Sequence, residues 1–291
     1  MITLTWVVDD TAQAPLRPEH GFAMWIEVAG QHVLFDTGGS GEVLMHNLRA
    51  LELDPADVDA IVLSHGHDDH TGGLGAMLPF LSTSTRVYAH PSLFRVRYSQ
   101  DAEGTMVRRG PAIDRGSLEK AIDLCLNEDP VEVVQRVWTT GEIVGRPEPE
   151  GRSHGHAVLQ NGSPIPDPYD DDLSLALDLG EGRSFVVCGC CHAGLLNTLD
   201  HIRTHLFPSI VGIAGGTHMI NADAEFRADT LERLEAMDAL QILWLGHCSG
   251  ERFMRGVVER FDPPIVREGG AGHSLTITLD GDQKTSLSPS A

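Results

Sequence analysis

Seven residues constrain this chain more than any others: Ser64-His65-Gly66-His67-Asp68-Asp69-His70, followed by Thr71-Gly72-Gly73-Leu74. They come directly after Ala60-Ile61-Val62-Leu63, a short apolar run of the kind that forms a strand buried on both faces. His65, His67, Asp69 and His70 place four potential ligands within six residues. A tight turn at a strand end can aim such side chains at one point. Imidazole suits zinc, iron, manganese and nickel, and a carboxylate extends the range toward harder metals. A helix beginning at Asp68 or Asp69 would set its positive end beside that point. One histidine in such a loop is ordinarily a solvated turn residue. Three, with a carboxylate among them, point to a metal centre.

Composition narrows the partners. The 291 residues carry 21 Lys+Arg against 42 Asp+Glu, a net charge of −21, with 15 His. Nucleic-acid and anionic-membrane binders rely on basic patches, so neither partner is expected. Small-molecule chemistry and cation binding remain. The longest stretches without Asp, Glu, Lys or Arg, 184–199 and 204–222, are broken by Gly, His and Asn, so no membrane span is expected. The first residues lack a basic segment and soon meet Asp9 and Asp10, unlike a signal peptide. Five cysteines, three of them at 188, 190 and 191, make a poor disulfide framework, and a cytoplasmic location is expected.

Periodicity predicts an α/β chain. Strands are expected at 3–8, 86–89, 184–187, 210–214, 240–245 and 274–279, with a hairpin of 22–28 and 32–35 around Ala29-Gly30. Leu173, Leu175, Leu177 and Leu179 alternate strictly and predict another strand. Helices are expected at 42–51, 118–126, 193–204, 222–237 and 251–260. Residues 131–138 read as one strand, 145–170 as a long loop, and the polar tail after Asp280 as frayed. Strand-rich and helical stretches follow one another twice, so the two halves match in element order. A single domain spanning 1–291 is expected, with an insert or cap at about 92–170.

The string H-x-H-x-D-H followed by T-G-G resembles the signature of the metallo-β-lactamase superfamily. That resemblance implies an αββα sandwich with one or two divalent metal ions at one edge, zinc foremost, iron or manganese also admissible. It implies further that Asp36 in Leu34-Phe35-Asp36-Thr37-Gly38 orients the metal loop. His65 and His67 would serve one ion, and Asp69, His70 and His247 (in Leu245-Gly246-His247-Cys248) the second. The strings from Cys188 to Leu199, Gly212 to Met219 and Leu245 to Gly250 are similar to a branch whose members are called dihydropterin-methyl-aminobenzene-ribofuranosyl phosphate synthases or metal-dependent hydrolases. The family permits a homodimer, which no sequence element demands.

The chain departs from the family where a bridging Asp is usual. Its strand there ends in Gly189-Cys190-Cys191-His192. His192 is the expected third ligand of the first ion, with His154 or His156 as competitors, although a solvated turn is the plainer reading of those two. Cys190 is either a thiolate ligand or a small buried residue behind the ligands. Cys188, Cys191 and Cys248 are expected as core or near-core thiols. His218 follows Gly215-Gly216 and is expected to act on substrate or as an acid–base, against a plain hydrogen-bonding role. Asp69 is a catalytic candidate as well as a ligand. Residues 95–120 hold Arg95, Arg97, Arg108, Arg109, Arg115 and Lys120 against four acids. Arg108 and Arg109 are the expected phosphate contacts, the alternative being a solvated helix face.

These readings favour a metal-dependent hydrolase of a small, phosphorylated substrate, a phosphodiester or a lactone or ester. A pterin-pathway synthase is the second possibility. A non-catalytic metal-binding regulatory module is the third, and the complete ligand set argues against it.

Overall fold

The computed structural model describes residues 1–100, 103–153, 155–261, 266–279 and 286–289. Two sheets face each other. The first is built from β1 (Ile2–Val8), β2 (Ala23–Val28), β3 (Gln31–Phe35), α1 (Gly41–Ala50), β4 (Ala60–Val62), α2 (Asp68–Thr71), α3 (Leu74–Met77) and β5 (Arg86–Ala89). The chain continues through β6 (Arg97–Gln100), β7 (Met106–Arg109), α4 (Arg115–Ala121), β8 (Asp123–Leu126), β9 (Glu132–Val134), β10 (Val137–Thr139), β11 (Ala157–Gln160) and β12 (Ser163–Pro166). The second sheet's main part follows as β13 (Ser174–Gly180), β14 (Arg183–Cys188), α5 (Leu195–His205), β15 (Ser209–Gly215), α6 (Ala224–Glu235), β16 (Ile242–Leu245), α7 (Glu251–Arg260) and β17 (Val266–Glu268). The last strands are β18 (Ser274–Thr278) and β19 (Ser286–Pro289).

The strand orders are β19-β18-β1-β2-β3-β4-β5-β8 and β17-β16-β15-β14-β13-β10-β9. Between the sheets lies a core that includes Trp6, Phe22, Phe35, Leu175, Leu177, Phe185 and Trp244. Outside the first sheet, Leu44, Leu48, Leu74 and Met77 of α1 and α3 cover Trp25, Leu34 and Ile61. Outside the second, Leu195, Leu199, Leu231, Leu234, Phe253 and Val257 of α5–α7 cover Val186, Ile213 and Leu243. The result is the expected αββα sandwich. The alternating leucines of β13 face the inter-sheet core while Ala176 faces the helices, so the strand is buried on both sides.

Strands β3, β4, β5 and β8 run parallel, as do β14, β15, β16 and β17. Five loops leave the carboxyl ends of β3, β4, β14, β15 and β16. They carry Asp36, the histidine cluster, Cys190 with His192, His218, and His247. Open α/β sheets place ligands at such ends.

Four local expectations are corrected. Residues 118–126 are not one helix: α4, capped by the Asp114 side chain, ends at Ala121, and the apolar residues of β8 pair with β5 as the sheet's edge. Residues 131–138 turn at Arg136, with φ +71°, into the β9–β10 hairpin. The long loop at 145–170 contains the β11–β12 hairpin, whose Asn161-Gly162 turn has φ +52° and +79°. Asn-Gly is a strong hairpin signal that sets these left-handed angles. In the tail, β19 pairs with β18. Finally, β12-β11-β6-β7 form a third, four-stranded sheet.

Candidate metal centre

The histidine loop is braced from beneath. Asp36 is fully buried, and its Oδ1 accepts the Ser64 N–H at 2.7 Å. Its Oδ2 accepts the Ser64 hydroxyl at 2.6 Å and lies 2.7 Å from His70 Nδ1. Asp171 Oδ2 accepts the Gly66 N–H at 2.8 Å, while its Oδ1 meets buried Arg97. Gly66 has no room for a side chain, since a Cβ would lie 2.1 Å from the Leu93 carbonyl oxygen. The first turn of α2 then begins at Asp68, as expected.

The imidazoles converge. His65 Nε2 is 2.8 Å from His67 Nδ1. Two nitrogens on one tetrahedral ion, at bonds of about 2.0–2.1 Å, stand about 3.3 Å apart. His192 joins them, its ring centroid 4.8 Å from that of His65 and 4.9 Å from that of His67. On the other side, His247 Nε2 lies 3.6 Å and His70 Nε2 3.5 Å from Asp69 Oδ2. Cys190 sits between the two groups, its sulfur 3.2 Å from His70 Nε2. Ligand atoms of His65, Cys190 and His192 lie within 4.8 Å of one another, as do those of His70, Cys190 and His247.

Each outer histidine presents one nitrogen. His192 Nδ1 is held by the Gly151 carbonyl at 2.7 Å, and its Nε2 is buried without a partner. His247 Nδ1 is 3.4 Å from Asp10 Oδ1, and its Nε2 is buried without a hydrogen-bond partner. A metal-binding histidine ordinarily has its second ring nitrogen held in this way. Burial, then neighbouring imidazoles, hold His65 and His192 well below the ordinary histidine pKa. For His67, burial dominates to the same effect. Neutral imidazole is the ligand form. Burial opposes the charge on His70, but Asp69 and Asp36 overcome it and raise that pKa to about 9. Together, two buried nitrogens without a hydrogen-bond partner, the neutral rings of His65, His67 and His192, and the Asp69 carboxylate between His70 and His247 fit one or two divalent ions.

The backbone is strained around this point. Asp36, Cys191, His218 and His247 have φ of +59°, +60°, +46° and +46°. Non-glycine residues held there cost on the order of 1–3 kcal/mol each, and such strain clusters at functional sites.

A cleft of about 510 Å³ opens over the rings, lined among others by Asp69, Arg109, His156, His218, Ile220 and Cys248. His218 lines it too, with Nε2 2.8 Å from Ser153 Oγ. His156 is not the solvated turn residue expected: its Nδ1 is 3.1 Å from the Tyr169 hydroxyl, and its ring lies 4.9 Å from His67. His154 lies outside the described residues. The basic stretch also divides. Arg97 is buried between Asp167 and Asp171, and Arg95 pairs with Asp170 at 2.7 Å, so neither offers its charge to the cleft. Of the expected phosphate pair, Arg109 lines the cleft and Arg108 does not, because neighbours on a strand point to opposite faces.

Several site residues escaped the sequence reading. Asp9 Oδ1 accepts the His247 N–H at 2.9 Å, and His20 Nε2 is 3.5 Å from Asp69 Oδ2. Tyr169 stacks on His192 at 4.2 Å and 6°. Cys248 is buried, as expected, but it also lines the cleft. Asp9 and Asp10 closing a strand were the one local signal.

A family model described as the metallo-beta-lactamase superfamily matches residues 16–194. A protein of Methanocaldococcus jannaschii named 7,8-dihydropterin-6-methyl-4-(beta-D-ribofuranosyl)-aminobenzene-5'-phosphate synthase is 28% identical over 263 residues, covering 87% of this chain and 89% of its own length. An uncharacterized protein of the same archaeon is 27% identical over 246 residues, covering 84% of this chain and 89% of its own. Among solved structures, Tm1679, described as a metal-dependent hydrolase of the beta-lactamase superfamily, has a TM-score of 0.80 at 24% identity, covering 96% of this chain and 100% of its own. At that identity the likeness is one of fold.

Proposed function

The chain belongs to the metallo-beta-lactamase superfamily, and from that premise we propose that it is a metal-dependent hydrolase of a small, phosphorylated ester. The observation that carries the reading is the pair of buried nitrogens without a hydrogen-bond partner, His192 Nε2 and His247 Nε2, on rings each held from behind through Nδ1. His65, His67 and His192 would hold one ion, and Asp69, His70 and His247 a second, zinc being the metal this donor set suits. Such ions supply Lewis acidity and lower the pKa of water toward about 7.

The chain's own residues do the rest. Asp36 keeps His70 pointed inward through Nδ1. Asp69, with one oxygen facing His70, His247 and His20, accepts the proton released as water attacks. His218, anchored near Ser153, delivers a proton to the leaving group from Nε2. Arg109 holds the anionic group of the substrate at the cleft rim. Residues at about 92–170 act as a cap on a single domain, since Arg109, Ser153 and His156 reach the cleft from that segment.

A second reading is a transferase of the pterin-synthase kind. It is favoured by the 28% identity to the archaeal synthase across 89% of that protein. Labelled water separates the two, because hydrolysis leaves solvent oxygen in the product and transfer does not. Chelation is expected to abolish activity and a divalent ion to restore it. A fully active preparation free of metal would end both readings.

A further inference from the structure

Three cleft residues form a group of their own. Ligand atoms of Cys190, His218 and Cys248 lie within 4.8 Å of one another, and both thiols are free. Two sulfurs on one tetrahedral ion, at bonds of about 2.3 Å, stand about 3.8 Å apart, so shifts under about 1 Å would close this set on one ion. His218 is only 9% exposed, and its Nδ1 is buried without a hydrogen-bond partner. The backbone shapes space for sulfur here. A Cβ on Gly216 would lie 2.7 Å from Cys248 Sγ, and one on Gly151 would lie 2.7 Å from His218 Cβ. The His218 N–H donates to Cys248 Sγ at 3.2 Å, fixing the sulfur beside the ring.

We propose that Cys190, Cys248 and His218 form a separate, sulfur-rich cation position beside the histidine positions, taking a thiophilic divalent ion. Two sulfurs and one imidazole favour soft or borderline cations over magnesium, calcium or manganese. Cys190 also stands among the histidine ligands, so it joins this position to theirs. Binding through Nδ1 leaves the Nε2–H of His218 facing Ser153, and a ring so bound is neutral, so His218 delivers a proton in the cleft only while this position is empty. The inference stands without the hydrolase reading, because a sulfur pair holds such an ion whatever the enzyme does.

The test is cobalt(II) titration of chelated, full-length protein, read by near-ultraviolet thiolate-to-cobalt charge transfer and by bound metal. Charge transfer is expected in the wild type, falling by about half in Cys248→Ser and vanishing in the Cys190→Ser/Cys248→Ser double variant. It is expected to persist in His65→Ala/His67→Ala. Full cobalt loading without charge transfer overturns this inference and leaves the proposed function standing. So does charge transfer indifferent to Cys248→Ser, or charge transfer lost with the two histidines. Uptake of no cobalt overturns both proposals, whereas charge transfer without turnover overturns the function alone. An arm without mutations guards against misfolding: cadmium is expected to protect Cys248 of the wild type from alkylation, and unchanged alkylation overturns the position.

Discussion

Asp36 Oδ2 and His70 Nδ1 meet at 2.7 Å, with both side chains fully buried. The same carboxylate also takes the Ser64 N–H and hydroxyl, so the residue directly after β3 fixes both ends of the histidine loop. All three contacts need an acceptor. Asp36→Asn puts an amide N–H against one of these donors while keeping a residue that tolerates φ +59°. The variant should bind metal about 10–100-fold more weakly and lose about 1–3 kcal/mol of stability. Zinc competition titration and urea unfolding measure the two effects. Unchanged affinity would remove Asp36 from the positioning role.

Arg97 carries the loop's second brace. It is buried, with Nε 2.8 Å from Asp167 Oδ2 and the guanidinium also on Asp171, which in turn holds Gly66. Arg97→Met leaves two buried carboxylates with only backbone N–H partners and no counter-charge between them. Removing one partner of a buried pair costs about 3–5 kcal/mol. Urea unfolding should show a loss of that size, and metal affinity should fall with it. A loss below about 1 kcal/mol would mean that water reaches these carboxylates and the brace is not dry.

How far the sequence showed this depends on distance along the chain. His65, His67, Asp69 and His70 were legible because one turn brings them together. The sandwich was legible in the buried run of β4 and the alternating leucines of β13. Cys248, His20 and Tyr169 were not legible, because their roles exist only once β1, β16 and the 145–170 segment meet at the sheet edge. The same holds for Arg97, whose charge read as available until Asp167 and Asp171 folded around it. The β11–β12 hairpin is different. Asn161-Gly162 announced it, but the flanking prolines and polar residues hid the period.

Tyr169 lies flat on His192, with centroids 4.2 Å apart, and its hydroxyl is 3.1 Å from His156. The two contacts can be separated. Tyr169→Phe keeps the stack and should hold metal affinity within about twofold of wild type. Tyr169→Ala removes the stack, worth about 0.5–1.5 kcal/mol, and should weaken affinity about 2–12-fold. Competition with a chromophoric chelator measures both. Equal losses in the two variants would assign the effect to the hydroxyl instead.

Asp172 predicts a pH dependence in the chelated protein. Its Oδ2 accepts the Ala193 N–H at 2.9 Å beside His192, and its Oδ1 is buried without a partner. Burial raises its pKa from 3.8 to about 7. The folded state therefore binds more protons than the unfolded state between those values, and stability falls as pH rises through that window. A full shift of this size corresponds to about 4 kcal/mol, at about 1.4 kcal/mol per unit. Asp172→Asn should flatten this part of the profile in urea unfolding followed from about pH 4 to about pH 8. A slope equal to that of the wild type would show that Asp172 is ionised in the fold.

Arg108 and Arg109 are adjacent on β7 but answer different questions. Arg109 lines the cleft, with Nη1 3.2 Å from Asp68 Oδ2 and Nε 2.9 Å from Ser99 Oγ. Arg108 is exposed and pairs in register with Tyr98. The Arg109–Asp68 pair is itself solvent-accessible, and such pairs are worth about 0–1 kcal/mol, so Arg109→Ala should fold with near-native stability. A hydrogen bond to a charged group is worth about 1.5–3 kcal/mol, so the same variant should raise KM for a phosphorylated substrate at least about 10-fold. KM for the matching substrate without phosphate should stay within about twofold, as should both constants in Arg108→Ala. Steady-state kinetics on the two substrates checks this. An Arg109→Ala enzyme that treats them alike would mean that the phosphate is held elsewhere in the cleft.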